Sequence, residues 1–323
     1  MAKPPESFVG RERAAYTVVE NKIFIFGGLD AAGKALNDAA MYDPLTDSWS
    51  LIPKMTNTPS ARQLASAVWT GKTVYLIGGT DANETIAFAS GAKYDPANTA
   101  WTALPNLSVG RVAPYVANFT TSGYVLVWGG LNLSGIPISG GGYCAYFCQS
   151  WSAISTGTFS GGPPPLTDPT WIVAEDTSVL FFGGRTSMPQ ASNDAFQFVP
   201  DTSQWDTVAG LGPTARWGAF GVSDSKASYV WGGRNDTAAF SNGSRYVSNG
   251  GWSTMGETNV PSPRWAPLRR SGWMFALETG DVVVLGGMSF KGTLLTDGGR
   301  YTPSNSEWSS IEPWPSTEEH DYG

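Results

Sequence analysis

Arginines recur in step along this chain, and a row of guanidinium groups is chemistry for anions. Arg11, Arg62, Arg216 and Arg270 each stand 16 residues before the first glycine of a Gly-Gly pair, and Arg111 stands 18 before its own. The remaining pair, Gly183-Gly184, has Thr167 at that offset, next to Asp168. Arg13, Arg185, Arg234 and Arg264 lie near the same marks, Trp217 follows Arg216 and Trp265 follows Arg264. Guanidinium forks pair with carboxylate, sulfate or phosphate oxygens, and an indole beside them offers a flat apolar surface to a sugar ring or a peptide side chain. The candidate ligand-binding residues are therefore Arg11, Arg62, Arg111, Arg216, Arg270, Arg185, Arg234, Arg264, Trp217 and Trp265. An arginine at the start of a repeated strand also has a structural use, which is to hydrogen-bond the preceding loop.

Acidic groups accompany the arginines: Asp30, Asp81, Glu84, Asp168, Asp236 and Glu257. Asp30 and Asp81 are each the second residue after their Gly-Gly pair. Aligned carboxylates can hold a divalent ion, and two solvated loop carboxylates are the plainer reading. The chain has one histidine, His320, near its end. That composition argues against a zinc site of several histidines and against a Ser-His-Asp triad. No phosphate loop of the G-x-x-x-x-G-K-[ST] form occurs. No cofactor and no catalytic residue are expected.

The formal net charge is −7. An acidic chain is poorly suited to neutralising phosphates, so nucleic acid is not an expected partner. No stretch approaches the ~20 apolar residues of a membrane span. Few lysines, with abundant Ser, Thr, Asn and Gly, lean towards a secreted, periplasmic or cell-surface protein. Cys144 and Cys148 either close a small disulfide across a turn or stand as two thiols. Asn-x-Ser/Thr triplets begin at Asn83, Asn106, Asn118, Asn132, Asn235 and Asn242, and loop composition alone would produce them.

The elements that must position these residues are repeated. An apolar run ending in Gly-Gly occurs at Gly27, Gly78, Gly129, Gly183, Gly232 and Gly286, with spacings of 51, 51, 54, 49 and 54 residues. Each pair is followed by an aromatic, a turn and a Trp: Tyr42 and Trp49, Tyr94 and Trp101, Tyr143 and Trp151, Phe198 and Trp205, Tyr246 and Trp252, Tyr301 and Trp308. Short runs of β-branched and aromatic residues with period 2 make each repeat four antiparallel strands. In the second repeat these are about Leu64–Trp69, Thr73–Ile77, Ala89–Tyr94 and Ala100–Leu104. One such sheet cannot hide both faces, whereas a neighbour on each side can cover them. The repeat aromatics, with Trp128 and Trp231, are therefore core, and the glycine pair marks a close approach.

The Gly-Gly, Tyr and Trp landmarks, in phase six times over about residues 11 to 314, resemble the kelch family. The resemblance implies an all-β fold, a six-bladed β-propeller of four-stranded antiparallel kelch blades. It would be one propeller over residues 1–323, with blades at about 11–53, 62–105, 111–154, 167–209, 216–256 and 270–314 and an acidic tail at 315–323. The Pro- and Gly-rich stretch 155–169 reads as an inter-blade loop. The first strand of each blade would be innermost, so the register arginines would ring a channel mouth. Kelch-like plant specifier proteins use a Glu/Asp/His iron site, and no matching cluster is present here. The expected function is a monomeric, non-catalytic recognition module that binds an acidic protein segment or glycan at an arginine-lined face. The alternatives are an isomerase, epimerase or lyase acting on an acidic sugar or other small molecule, and a structural or adhesive propeller; likeness to kelch-like sialic acid epimerases would imply that arginines hold a carboxylate while Asp168, Glu257 or Tyr115 exchange protons.

Overall fold

The computed structural model describes residues 4–154, 162–174, 178–186, 190–200, 202–210, 212–248, 250–266 and 272–313. Arg270, the linker residues 155–161 and the tail 315–323 lie outside the described residues. The fold is a six-bladed β-propeller, and each blade is a four-stranded antiparallel sheet with its strands in chain order.

The chain forms two compact units, residues 1–159 with 200–203, and residues 160–199 with 204–323. The first unit holds three sheets. They are β1 (Ala15–Val19), β2 (Lys22–Phe26), β3 (Ala39–Asp43) and β4 (Ser48–Ile52); β5 (Ser66–Trp69), β6 (Val74–Ile77), β7 (Gly91–Asp95) and β8 (Ala100–Ala103); and β9 (Tyr115–Phe119), β10 (Tyr124–Trp128), β11 (Gly141–Ala145) and β12 (Ser152–Ile154). The second unit holds the sheets of blades 4 to 6. They are β13 (Thr170–Ala174), β14 (Ser178–Phe182), β15 (Ala195–Val199) and β16 (Gln204–Thr207); β17 (Phe220–Ser223), β18 (Ser228–Trp231), β19 (Gly243–Val247) and β20 (Gly251–Thr254); and β21 (Gly272–Ala276), β22 (Val282–Gly286), β23 (Gly298–Thr302) and β24 (Glu307–Ile311).

Within each unit the first strands of successive blades are neighbours: β5 lies against β1 and β9, and β17 against β13 and β21. The repeat aromatics fill the space between blades. Tyr94 and Trp101 sit 5.1 Å apart, and Trp101 meets Phe26 of the preceding blade at 5.5 Å. Trp252 meets Phe182 at 5.4 Å, and Trp308 meets Trp231 at 5.1 Å. Each such ring removes on the order of 150–250 Å² from water, which explains the aromatic richness without any catalytic role.

The glycine pairs are where one blade receives the next. The N–H of Gly28 donates to the Arg62 carbonyl at 2.9 Å, and that of Gly79 to the Arg111 carbonyl at 2.8 Å. Gly184 does the same to Arg216 at 2.9 Å, and Gly233 to Arg264 at 2.8 Å. The first glycine of the pair passes so close that a Cβ on Gly183, at φ +64°, would stand 2.5 Å from the Arg216 carbonyl oxygen. Glycine alone meets both the left-handed backbone and this approach.

Cys144 and Cys148 are joined in a disulfide with a Cα–Cα distance of 5.3 Å, closing the turn between β11 and β12. The same turn is pinned to the rest of its unit. Tyr75 Oη donates to the Tyr146 carbonyl at 2.7 Å, and Tyr146 Oη donates to Asn118 Oδ1 at 2.7 Å.

Candidate functional site

Four of the register arginines are buried, at 2% exposure for Arg62, 4% for Arg111, 1% for Arg216 and 0% for Arg264. Their donors face backbone. Arg216 Nη1 donates to the carbonyls of Gly232 at 2.7 Å and Asn242 at 3.0 Å, and its Nε donates to the Thr214 carbonyl at 2.8 Å. Arg62 repeats this with Gly78, Ser90 and Ser60 at 2.9, 3.1 and 3.0 Å. Arg111 reaches Gly129 and Gly140 at 2.6 and 3.0 Å. Arg11 Nη1 reaches the Gly27 carbonyl at 3.2 Å and pairs with Asp38 at 2.7 Å. Burial lowers the pKa of Arg62 and of Arg216 to about 10. These side chains clasp the Gly-Gly turn of their own blade and leave little for a ligand.

The sixth blade corrects the spacing. Arg264 takes the register position that the offset of 16 assigns to Arg270, donating to Gly286 and Asp297 carbonyls at 3.0 and 2.9 Å and pairing with Asp297 at 2.9 Å. The cause is a longer connection: β21 starts seven residues after Trp265, whereas β17 starts three after Trp217. In the fourth blade the bridge Thr167–Arg185 places Leu166, which is buried, where the other blades have arginine.

The residue after each clasp pairs with the residue after each Gly-Gly. The pairs are Glu12–Leu29, Gln63–Thr80 and Val112–Leu131 in the first unit, and Thr167–Arg185, Trp217–Arg234 and Trp265–Met288 in the second. The two units therefore present different chemistry at one register position. Arg13, in the first, is surrounded by Gln63 at 3.0 Å, Glu84 at 3.3 Å and Glu12 at 3.4 Å, so its charge is offset locally.

In the second unit the side chains interleave. The Arg185 guanidinium carbon lies 5.3 Å from the Trp217 ring centre, and that of Arg234 lies 5.5 Å from Trp217, 5.0 Å from Trp265 and 4.5 Å from Phe290. These separations fall within the range of cation–π attraction. Arg185 Nε donates to Thr167 Oγ1 at 3.1 Å, and its Nη2 stands 3.6 Å from Asp168. Arg234 Nε donates to the Asn235 carbonyl at 3.1 Å, while its two Nη groups make no hydrogen bond among the described residues. The edge is open: the Arg185 side chain is 44% exposed and Phe290 40%. Trp217 is buried beneath it, and Trp265 is held by an Nε1 bond to the Ser289 carbonyl at 3.1 Å.

Of the candidate residues, Arg185, Arg234, Trp217 and Trp265 thus come together, with Asp168 beside them. Phe290 belongs to the same group, and only its place three residues after Gly287 could have suggested it. The other acids go elsewhere. Asp30 caps its own turn at Ala32 and Lys34, and Asp81 does so at Thr85 and Ile86. Glu257 follows Gly256, whose carbonyl accepts from Trp308 Nε1 on β24 at 3.0 Å.

Residues 3–130 match the family model described as the KLHDC2/KLHL20/DRC7 Kelch-repeats domain. The blades are kelch-type. The Kelch-like protein terF of Aspergillus terreus is 26% identical over 304 residues, which is 88% of this chain and 63% of that protein. Alpha-scruin of Limulus polyphemus is 31% identical over 124 residues, 36% of this chain and 13% of that protein. The N-(sulfonatooxy)prop-2-enimidothioate sulfolyase of Thlaspi arvense is 24% identical over 225 residues, 62% of this chain and 63% of that protein. The chain spans less than two thirds of the length of each of these relatives. A solved structure, that of YjhT, superposes with a TM-score of 0.65 over 96% of this chain and 99% of that one, at 15% identity, which is a likeness of fold.

Proposed function

We propose that the arginine–aromatic edge of blades 4 to 6 holds a small anionic molecule, and that the chain is an isomerase or lyase acting on it. The observation that carries this reading is Arg234, whose Nη donors make no hydrogen bond among the described residues while three aromatic rings stand within 5.5 Å of its guanidinium carbon. Arg185 adds a second cation at 5.3 Å from the same Trp217 ring. Two guanidinium groups beside one indole suit a ring bearing a carboxylate or sulfate. Asp168, next to Arg185, supplies the nearest group for proton transfer. The sulfolyase relative, a lyase of a sulfated small molecule by its name, supports the reaction class.

The test is direct. Calorimetry with a sialic acid, and NMR of the exchange between its anomers, read binding and turnover separately. Arg234→Ala should abolish binding, and Asp168→Asn should keep binding and slow the exchange. Wild-type protein that neither binds nor turns over a carboxylated or sulfated small molecule overturns the proposal.

A second reading is recognition of an acidic protein segment or glycan without catalysis. It is favoured by the openness of the edge, with Phe290 and Arg185 both substantially exposed. Binding of an acidic peptide at Arg234 with no turnover of small molecules would select it.

A further inference from the structure

The six Asn-x-Ser/Thr triplets are not equivalent once folded. Asn118 is 8% exposed on β9, and its Oδ1 accepts from Tyr146 Oη at 2.7 Å. Asn242 Oδ1 accepts from the clasp residue Arg216 at 2.9 Å. Asn132 Oδ1 takes the N–H groups of Ser134 and Ile136 at 2.9 Å each, and Asn235 Oδ1 takes those of Thr237 and Ala238 at 2.9 Å each. All four amides are half-buried or buried and hold a turn or a blade together.

Asn83 and Asn106 differ on both counts. Both are exposed, and neither side chain makes a hydrogen bond among the described residues. Asn83 lies in the turn between Asp81 and Thr85, where Glu84 N–H donates to the Asp81 carbonyl at 3.2 Å. Asn106 lies between Leu104 and Leu107, whose side chains are buried at 6% each, so the segment is anchored on both sides of an outward residue. The Cys144–Cys148 disulfide points to an oxidising compartment, where N-glycosylation also takes place in eukaryotes.

We propose that Asn83 and Asn106 are N-glycosylation sites and that the other four triplets stay unmodified. In the transfer, the Asn Nδ2 attacks C1 of a lipid pyrophosphate-linked oligosaccharide. An N–C bond forms, the bond from C1 to the pyrophosphate oxygen breaks, the lipid pyrophosphate leaves with that electron pair, and the amide proton passes to a base on the transferase. A glycan at either site projects into solvent. A glycan at Asn118 or Asn242 would have to displace a bond that the fold uses. The inference is independent of the anion site.

The experiment is to make the full chain with a secretion leader in eukaryotic cells and map its peptides by mass spectrometry before and after treatment with an N-glycosidase. Glycan mass on the peptides of Asn83 and Asn106, and a mobility shift that falls by one step in Asn83→Gln, by one step in Asn106→Gln and to nothing in the double variant, are expected. Secreted protein unmodified at both positions, or carrying glycan at Asn118 or Asn242, overturns the proposal. All of these asparagine-to-glutamine changes lie on exposed side chains, so loss of the shift is separable from loss of the fold.

Discussion

Arg216 Nη1 lies 2.7 Å from the carbonyl oxygen of Gly232, a buried contact that joins the entry of blade 5 to its own Gly-Gly turn. Replacing Arg216 by Ala strands that carbonyl and removes one bond each from the part-buried carbonyls of Thr214 and Asn242, the second of which keeps the Gly232 N–H at 3.0 Å. The stranded buried acceptor costs roughly 1–3 kcal/mol and each of the other lost bonds about 1 kcal/mol, so the loss should be about 3 kcal/mol or more. Arg234→Ala, which strands no carbonyl in the interior, should stay within about 1 kcal/mol. Urea unfolding of both variants decides, and equal losses would contradict the division between clasp and site.

Gly183→Ala should cost about 2 kcal/mol or more, because left-handed backbone and a blocked approach act together. Its Cβ would meet the Arg216 carbonyl oxygen at 2.5 Å. Gly33→Ala, at φ +76° with nothing within 4 Å, isolates the backbone part and should cost about 1 kcal/mol. The difference in denaturation midpoints measures the blade-to-blade approach.

Asp281 should make part of the stability acid-sensitive. Its hydrogen bonds from Arg300, with Nε at 2.9 Å, lead the effects that hold its pKa below the usual carboxylate value, against opposition from burial. A carboxyl lowered on folding contributes fully above its unfolded pKa of about 3.9 and loses that contribution as pH falls through the lower folded value. Stability of the wild type should therefore decline below about pH 4, and Asp281→Asn should flatten that part of the curve while lowering stability at neutral pH. A curve unchanged by Asp281→Asn would remove this residue from the account.

The disulfide closes a separation of only four residues. Chain entropy for so short a loop gives about 2 kcal/mol. Cys144→Ser with Cys148→Ser should lower the melting temperature accordingly, and a thiol reductant should do the same to the wild type but not to the variant.

At the proposed site, ligand affinity should depend on charge. Binding of a carboxylated or sulfated molecule should weaken as salt rises, and Arg185→Gln should weaken it about tenfold, the scale of one charge-assisted hydrogen bond of about 1.4 kcal/mol. Calorimetry at two salt concentrations reads both effects. Salt-independent affinity would mean that the aromatic rings alone bind.

Blades and core were legible because Gly-Gly, Tyr and Trp repeat at intervals that local chemistry enforces. Gly28 and Gly79 must accept a neighbour's backbone, and Trp101 must fill the gap beside Phe26. The arginines were legible as a register but ambiguous as to use. Arg216 and Arg234 are both arginines in the same repeat, and sequence offers no measure of which guanidinium is buried. The spacing also misled in blade 6, where the longer connection before β21 moves the clasp to Arg264.

The sequence by itself determined the repeat, the four-stranded blade and the places where only glycine can stand, since these follow from periodicity, side-chain volume and backbone sterics within one repeat. Tertiary structure alone decided that Arg62, Arg111, Arg216 and Arg264 are committed to carbonyls, that Arg234 stands among Trp217, Trp265 and Phe290, and that Asn83 and Asn106 face outward. The reason is physical: a polar side chain's role depends on which partners desolvate it, and those partners come from other blades or from loops whose lengths the repeat does not constrain.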